Sequence, residues 1–318
     1  MGFAILFPGQ GSQFRGMGAD LFDRRPDLLG AGADEVLGWS LREMCLEADD
    51  EELTRTEFAQ PALYAISYAL WDELAGELGV APVAAAGHSL GEYTALAAAG
   101  ALDFQQGLAV VAERGRAMAG AAEQEAAGMA AIVGSDLNSV ESVALARRQM
   151  GGRLFVANIN APGQVVVAGA AEDLDWLEAE MAHFGIKRVI RLKVAGAFHS
   201  PFMGSAADRL QAALVGVEFG RGRFEVWSNV TAEPHQERHT KDQLVRQLTS
   251  PVRFADTLAA IAARGVDTFV HVGPGDVTSG LAKRSAPGLR YLTVSDSAGV
   301  LPLVKALGTI TGDRRDDG

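Results

Sequence analysis

Val83-Ala84-Ala85-Ala86-Gly87-His88-Ser89-Leu90-Gly91-Glu92 joins a strand to a helix through one tight turn. Residues 83–86 read as a short strand, and the alanine-rich run from Glu92 to Ala99 reads as a helix that Gly100 ends. Gly87-x-Ser89-x-Gly91 in that setting is the nucleophile-elbow pattern. The flanking glycines leave room for a sharp turn, and the central hydroxyl projects from its tip. The helix N-terminus behind it offers N–H groups and positive dipole to a developing oxyanion. Ser89 is therefore the candidate nucleophile; the alternative is an inert serine in a glycine-rich turn.

Outward from the elbow, the apolar run at 3–7 reads as a first strand, leading into Pro8-Gly9-Gln10-Gly11-Ser12-Gln13. Helical signals dominate 16–80, with Pro61 opening a helix whose apolar face carries Tyr64, Ile66, Ala69 and Leu70. A further helix is expected at Phe104 to Ala122. The pattern then changes to strand 129–133, helix 136–150 capped by Ser135 or Asp136, strand 154–158 and a turn at Pro162-Gly163. Strand 164–168, helix 172–184 closed by Gly185, and strand 187–194 follow. That order, β-α-β-β-α-β, is the ferredoxin-like split unit, expected here as a small subdomain at 125–195. Helices are expected at 201–215, 240–249 and 254–264, with strands at 223–228 and 267–272. The large part, 1–124 plus 196–310, alternates strands and helices, which implies an α/β domain with a mainly parallel sheet. Its active site belongs at the carboxyl ends of the strands. Residues 311–318 are expected to be a disordered tail.

The 318 residues, 48% hydrophobic and 21% charged, suit an ordinary soluble globular protein of one large α/β domain or two units. A net charge of −12 argues against wholesale binding to nucleic acid or an anionic membrane, though a small basic patch for one partner is compatible with it. Cys45 is the single cysteine, so an intramolecular disulfide is ruled out and a reducing compartment fits. It reads as a small apolar residue on a helix. The run Met1 to Phe7 lacks a basic flank and is too short for a signal peptide or a span, so a cytoplasmic protein is expected. Nothing demands more than a monomer.

A serine nucleophile needs a base. Of six histidines, His88 lies inside the elbow and is expected to pack under it, and His183 ends a helix. His235 and His239 lie in a polar stretch and read as solvated, while His271 alternates with Val270 and Val272 in a strand. His199, in Gly196-Ala197-Phe198-His199-Ser200-Pro201, enters a helix at the mouth of the large domain and is the best candidate. Arg114 stands among Ala109, Val110, Val111 and Met118, where it either snorkels or pairs with an anion. Gln10 lies where a hydrolase-type sheet takes a second oxyanion donor, or forms a simple turn. The chain has no cysteine cluster, P-loop or dinucleotide fingerprint, so neither metal nor cofactor is expected.

Taken together, seven segments resemble one family: Phe7-Pro8-Gly9-Gln10-Gly11-Ser12-Gln13, Gly87-His88-Ser89-Leu90-Gly91-Glu92, Arg114-Gly115-Arg116-Ala117-Met118, Ala197-Phe198-His199-Ser200, Ser228-Asn229-Val230, Arg246-Gln247-Leu248 and Val272-Gly273-Pro274-Gly275. They are similar to the malonyl-CoA:acyl carrier protein transacylases and the acyltransferase domains of polyketide synthases. The resemblance implies a hydrolase-like α/β domain with a ferredoxin-like insert. It implies that Ser89 carries the acyl group and that His199 is the base. It also implies an oxyanion hole from the N–H groups of Leu90 and Gln10, with Arg114 on the malonyl carboxylate. The Gln247 carbonyl would orient the histidine in place of a catalytic Asp, and Phe198 would restrict α-substituents. The partners implied are malonyl-CoA and an acyl carrier protein, whose phosphopantetheine thiol takes the acyl group. The Gly196-Ala197-Phe198-His199 version and the start Gln13-Phe14-Arg15-Gly16-Met17-Gly18 look more like discrete, trans-acting polyketide acyltransferases than fatty-acid enzymes. With no ketosynthase or carrier segment in the sequence, a free-standing chain is expected.

Two other readings compete: a serine hydrolase clearing acyl groups from carrier proteins, which the elbow and His199 fit equally well, and a non-catalytic carrier-protein binding module. Lys187, Arg191 and Lys193 share one face of the last subdomain strand, either as a docking patch for an acidic carrier or as a solvated face.

Overall fold

Strand β1 (Gly2–Phe7) is apolar on both sides, as a strand covered on both faces requires. Successive side chains point to opposite sides of a strand. Phe3, Ile5 and Phe7 accordingly join one buried cluster, and Ala4 and Leu6 another. The first cluster draws on the helices Thr56–Glu77 and Phe104–Ala122, the second on Phe254–Ala263 and Val277–Ser285. The computed structural model describes residues 2–312. In it, β1 is the centre of a five-stranded sheet. On one side lie β2 (Ala84–Gly87) and then β7 (Glu225–Val226); on the other lie β8 (Val266–Val272) and then β9 (Arg290–Val294). Every pairing in it is parallel. The fold is thus mixed α/β with a parallel sheet, as expected.

A second, antiparallel sheet is built from β3 (Ala127–Val133), β4 (Leu154–Ala161), β5 (Gln164–Ala170) and β6 (Val189–Arg191), in the order β4-β5-β3-β6. The helices Leu137–Gln149 and Ala171–Glu180 complete the order β-α-β-β-α-β. Asp136 caps the first of them, accepting from the Ser139 N–H at 2.8 Å. This sheet is joined to the larger body through backbone: the Ile159 N–H donates to the Val252 carbonyl at 2.8 Å, and the Val252 N–H to the Ala157 carbonyl at 2.9 Å. Met129, Ala131, Val166 and Ala168 add to the same buried cluster as Phe7.

Several expectations need correction. The helix expected to open at Pro61 runs Thr56–Glu77, with Pro61 in its second turn. The missing N–H there leaves the Glu57 carbonyl without its helical donor, but burial of Ala59, Gln60, Ala62 and Leu63 holds the extra turn in place. The strand expected at 187–194 is hydrogen-bonded as a strand only over Val189–Arg191. Arg191 is matched there by Asp175 at 2.5 Å and Glu178 at 2.6 Å, so Lys187, Arg191 and Lys193 do not form one free basic face. The strand expected at 223–228 shrinks to Glu225–Val226: the Trp227 N–H still donates to the Ala85 carbonyl of β2 at 3.0 Å, and the residue then turns to bridge Pro234. The chain past Gly275 adds elements not foreseen: the helix Val277–Ser285, β9, and the helix Val300–Gly312. That last helix takes in residues 311 and 312, expected in a tail; 313–318 lie outside the described residues.

No helix among the described residues is long and apolar enough to cross a membrane. Among them, no group of three or more His, Cys, Asp or Glu is placed to hold a metal ion.

Candidate active site

The elbow forms because its glycines admit contacts that no side chain would. A β-carbon on Gly87 would overlap the Gly91 carbonyl, and one on Gly91 would overlap the carbonyls of Phe7 and Pro8. Ser89 sits between them with φ +51°, in the left-handed region that costs a residue bearing a β-carbon about 1–2 kcal/mol. The turn stands at the carboxyl end of β2, and the helix Gly91–Ala98 begins directly after it.

Ser89 Oγ lies 2.8 Å from His199 Nε2, and His199 Nδ1 lies 2.8 Å from the Gln247 carbonyl oxygen. A carbonyl can only accept, so Nδ1 carries the proton and Nε2 presents its lone pair to the serine hydroxyl. His199 also has a left-handed backbone, φ +56°. The arrangement can pass a proton from Ser89 to His199 while the ring is held by a backbone group.

Arg114 reaches the same serine from the helix Phe104–Ala122. One terminal nitrogen donates to Ser89 Oγ and to Gln247 Oε1, both at 2.9 Å, and the other donates to Gln60 Oε1 at 2.5 Å. The guanidinium lies over the Tyr93 ring, 5.4 Å from its centroid. The residue is completely buried, its Nε has no hydrogen-bond partner, and among the described residues it has no ion pair. Snorkelling is therefore excluded. A buried cation facing only neutral oxygens is costly unless an anion joins it.

Gln10 occupies the loop after β1. Its side chain is tied to Thr56 Oγ1 at 3.2 Å. The loop packs so closely on the elbow that a β-carbon on Gly9 would overlap the His88 carbonyl. The N–H groups of Gln10 and Leu90 have no hydrogen-bond partner among the described residues. Gln10, Gln60, Ser89, Leu90, Arg114, Met118, Phe198 and His199 all border one cleft of about 220 Å³, which the second sheet closes with Met129, Asn160 and Val166.

The family model for the acyl transferase domain matches residues 4–287. The chain belongs to the acyl transferase family. Among relatives of this acyl transferase, the malonyl CoA-acyl carrier protein transacylase of Bacillus subtilis is 42% identical over 92% of this chain and 93% of its own. The polyketide biosynthesis malonyl CoA-acyl carrier protein transacylase BaeC of Bacillus velezensis is 39% identical over 88% of this chain and 95% of its own. A solved malonyl-transacylase in complex with its type II PKS acyl-carrier protein superposes with a TM-score of 0.90 at 38% identity, covering 96% of this chain and 100% of that one.

The structure brings together all seven residues singled out in the sequence: Ser89, His199, Gln10, Leu90, Arg114, Gln247 and Phe198. In this acyl transferase the other histidines divide differently from expectation in one case. His88 Nε2 pairs with Asn160 Oδ1 at 2.7 Å, linking the elbow to the second sheet. His183 pairs with Glu180, and His271 is buried against Thr278 and Gly273. His235, read as solvated, instead has a 5% exposed side chain whose Nε2 lies 2.6 Å from the fully buried Glu92. Polar neighbours in sequence misled there, because the partner is 143 residues away. Three more residues escaped assignment: Gln60, Glu92 and Asn229. Glu92 had one usable signal, as the single charge in the otherwise uncharged helix Gly91–Ala98.

Proposed function

We propose that the protein moves a malonyl group from malonyl-CoA, through an ester on Ser89, to the phosphopantetheine thiol of an acyl carrier protein. The observation that carries this reading is Arg114: a fully buried guanidinium with no ion-pair partner among the described residues, 2.9 Å from the candidate nucleophile. An acyl chain ending in a carboxylate supplies the missing charge, and the planar fork suits it bidentately.

In the first half-reaction His199 Nε2 takes the Ser89 proton as Oγ attacks the thioester carbonyl. The N–H groups of Leu90 and Gln10 receive the oxyanion. The C–S bond breaks and the CoA sulfur leaves with the proton from Nε2. In the second, Nε2 deprotonates the carrier's thiol, sulfur attacks the ester, and Ser89 regains its proton. No step calls on a metal or cofactor. Arg114 fixes the ester's orientation for the incoming thiol. A serine hydrolase clearing neutral chains gains nothing from a buried cation there. Phe198, 6% exposed beside the cleft, narrows the space for an α-substituent, a preference of about 10–200-fold per methylene.

The fold reading that goes with this is a hydrolase-like domain, 1–124 and 196–310, carrying a ferredoxin-like subdomain at 125–195. We read the protein as a cytoplasmic monomer and, from Gly196-Ala197-Phe198-His199, as a discrete polyketide acyltransferase. Lys193, on the rim of the cleft, is the cation of the three proposed for docking that is best placed to meet an acidic carrier.

Intact-protein mass after mixing with a panel of acyl-CoA thioesters tests the reading, with transfer to a carrier protein followed in the same sample. Malonyl-CoA should load one acyl group that then leaves to the thiol. Loading of acetyl groups in preference to malonyl, or release to water alone, would refute it.

Burial, and next the nearby Arg114 charge, push the His199 imidazole down to about 3, while the Gln247 carbonyl pulls the other way. An ordinary histidine loses its basic form below about 6.5. Here the neutral ring persists, so kcat/KM for Ser89 acylation should stay level from pH 7.5 to about 5. An acidic limb centred on the ordinary histidine value would contradict this. The same depression contributes stability that is fully present above about pH 6.5 and is lost as pH falls toward the folded value.

A further inference from the structure

Asn229 spans the nucleophile turn. Its Oδ1 accepts from the Ser89 N–H at 2.7 Å, and its Nδ2 donates to the Gly87 carbonyl at 2.8 Å. These two bonds hold the chain on either side of His88, immediately before the residue with the left-handed backbone. The Asn229 N–H in turn donates to Glu92 Oε2 at 3.0 Å. That same oxygen accepts from Gln247 Nε2 at 2.6 Å, and Gln247 is the residue whose carbonyl holds His199. Gln247 Nε2 also donates to the Ser89 carbonyl at 3.0 Å. Glu92 Oε1 faces His235 Nε2. The supports of the nucleophile and of the base therefore end on one buried carboxylate oxygen.

The Gln247 amide lies between the guanidinium of Arg114 and the carboxylate of Glu92, oxygen toward the cation and nitrogen toward the anion. A flipped amide would set like against like on both sides, so its orientation is fixed by charge as well as by hydrogen bonding. Nothing in this network touches the cleft space where an acyl chain would lie, except through Ser89, His199 and Arg114.

We propose that Glu92 and Asn229 are positioning residues that fix the separation of Ser89 Oγ and His199 Nε2, with His235 holding the carboxylate in place. The proposal rests on Ser89 being the acylated residue. Misplacing a reacting group by 1 Å costs about 100-fold in rate. The test compares Asn229→Ala and Glu92→Gln with the wild type in three measurements: kcat and KM for malonyl-CoA, the rate of Ser89 labelling by a fluorophosphonate, and thermal melting. Labelling and kcat should each fall about 100-fold while KM moves less than about threefold, because Arg114 keeps its bonds to Gln60 and Ser89. The double variant should fall little further than the worse single one, as members of one unit do.

Folded variants that label at the wild-type rate, or that raise KM and keep kcat, overturn the proposal. Should Glu92→Gln not fold, His235→Ala and His235→Gln serve instead. The alanine variant should label about tenfold more slowly, as a lost positioning contact predicts, and glutamine, which keeps a donor for Glu92, should restore the rate. Equal labelling of the two overturns the proposal. A wild-type protein that gains no malonyl mass at all would instead sink the functional reading on which the proposal stands.

Discussion

Ser89→Ala protein mixed with malonyl-CoA should gain no malonyl mass, and transfer to a carrier protein should fall about 10⁵–10⁶-fold, the scale on which a nucleophile in a serine–histidine unit is lost. The substitution removes one oxygen from a buried site and leaves the turn intact, since Asn229 holds Ser89 through its backbone N–H. His199 and Arg114 remain to bind the thioester, so KM for any residual turnover should change little. The single cysteine cannot take over: burial pushes the Cys45 thiol up to about 12, and the residue is inside the core. A malonyl adduct on the Ser89→Ala protein would place the nucleophile elsewhere.

Arg114→Ala should separate two substrates that differ by one carboxylate. Losing one partner of a buried charge pair costs about 3–5 kcal/mol. Loading from malonyl-CoA should therefore fall about 10²–10⁴-fold, at 1.36 kcal/mol per decade. Acetyl-CoA, with no carboxylate to hold, should load within about tenfold of the wild-type rate, so the malonyl-to-acetyl ratio should fall at least about tenfold. Arg114→Lys should not restore malonyl loading, because an ammonium cannot match the two-pronged pair and cannot reach Gln60, Gln247 and Ser89 together. Equal losses on both thioesters would mean that Arg114 serves as a pillar under the elbow and does not read the substrate.

The site was legible where its causes are local. Gly87 is dictated by the Gly91 carbonyl within the turn itself, so the elbow shows in five consecutive residues, although Gly91 also answers to Phe7 and Pro8 at the end of the neighbouring strand. The helix Phe104–Ala122 is bounded by its Asp103 cap, which binds the Gln106 N–H at 3.0 Å, and its ends agree with the sequence reading. What could not be read locally depends on residues far apart in the chain. Arg114 could be seen to lie in an apolar helix, but its neutral partners come from positions 60, 89 and 247. The choice between snorkelling and anion binding is made by them. Pro61 misplaced a helix start because a rule about first-turn prolines ignores the tertiary packing that carries Thr56–Glu77 through it. Gln247 was placed by resemblance for its carbonyl alone. That its side chain also bridges Arg114 and Glu92 is visible only in three dimensions.

The cleft of about 220 Å³ is smaller than the roughly 300–1,000 Å³ that accommodates a drug-sized ligand. It admits the tip of a thioester and leaves the bulk of CoA, or of a carrier protein, outside. Donor and acceptor must then use the same doorway in turn, each presenting only a sulfur on a slender arm. Free CoA and the holo carrier become rivals for the loaded enzyme, and traffic through the site can run either way. The direction of net flow is set by the balance of both thiols and their two thioesters at the door, not by the groups that line it.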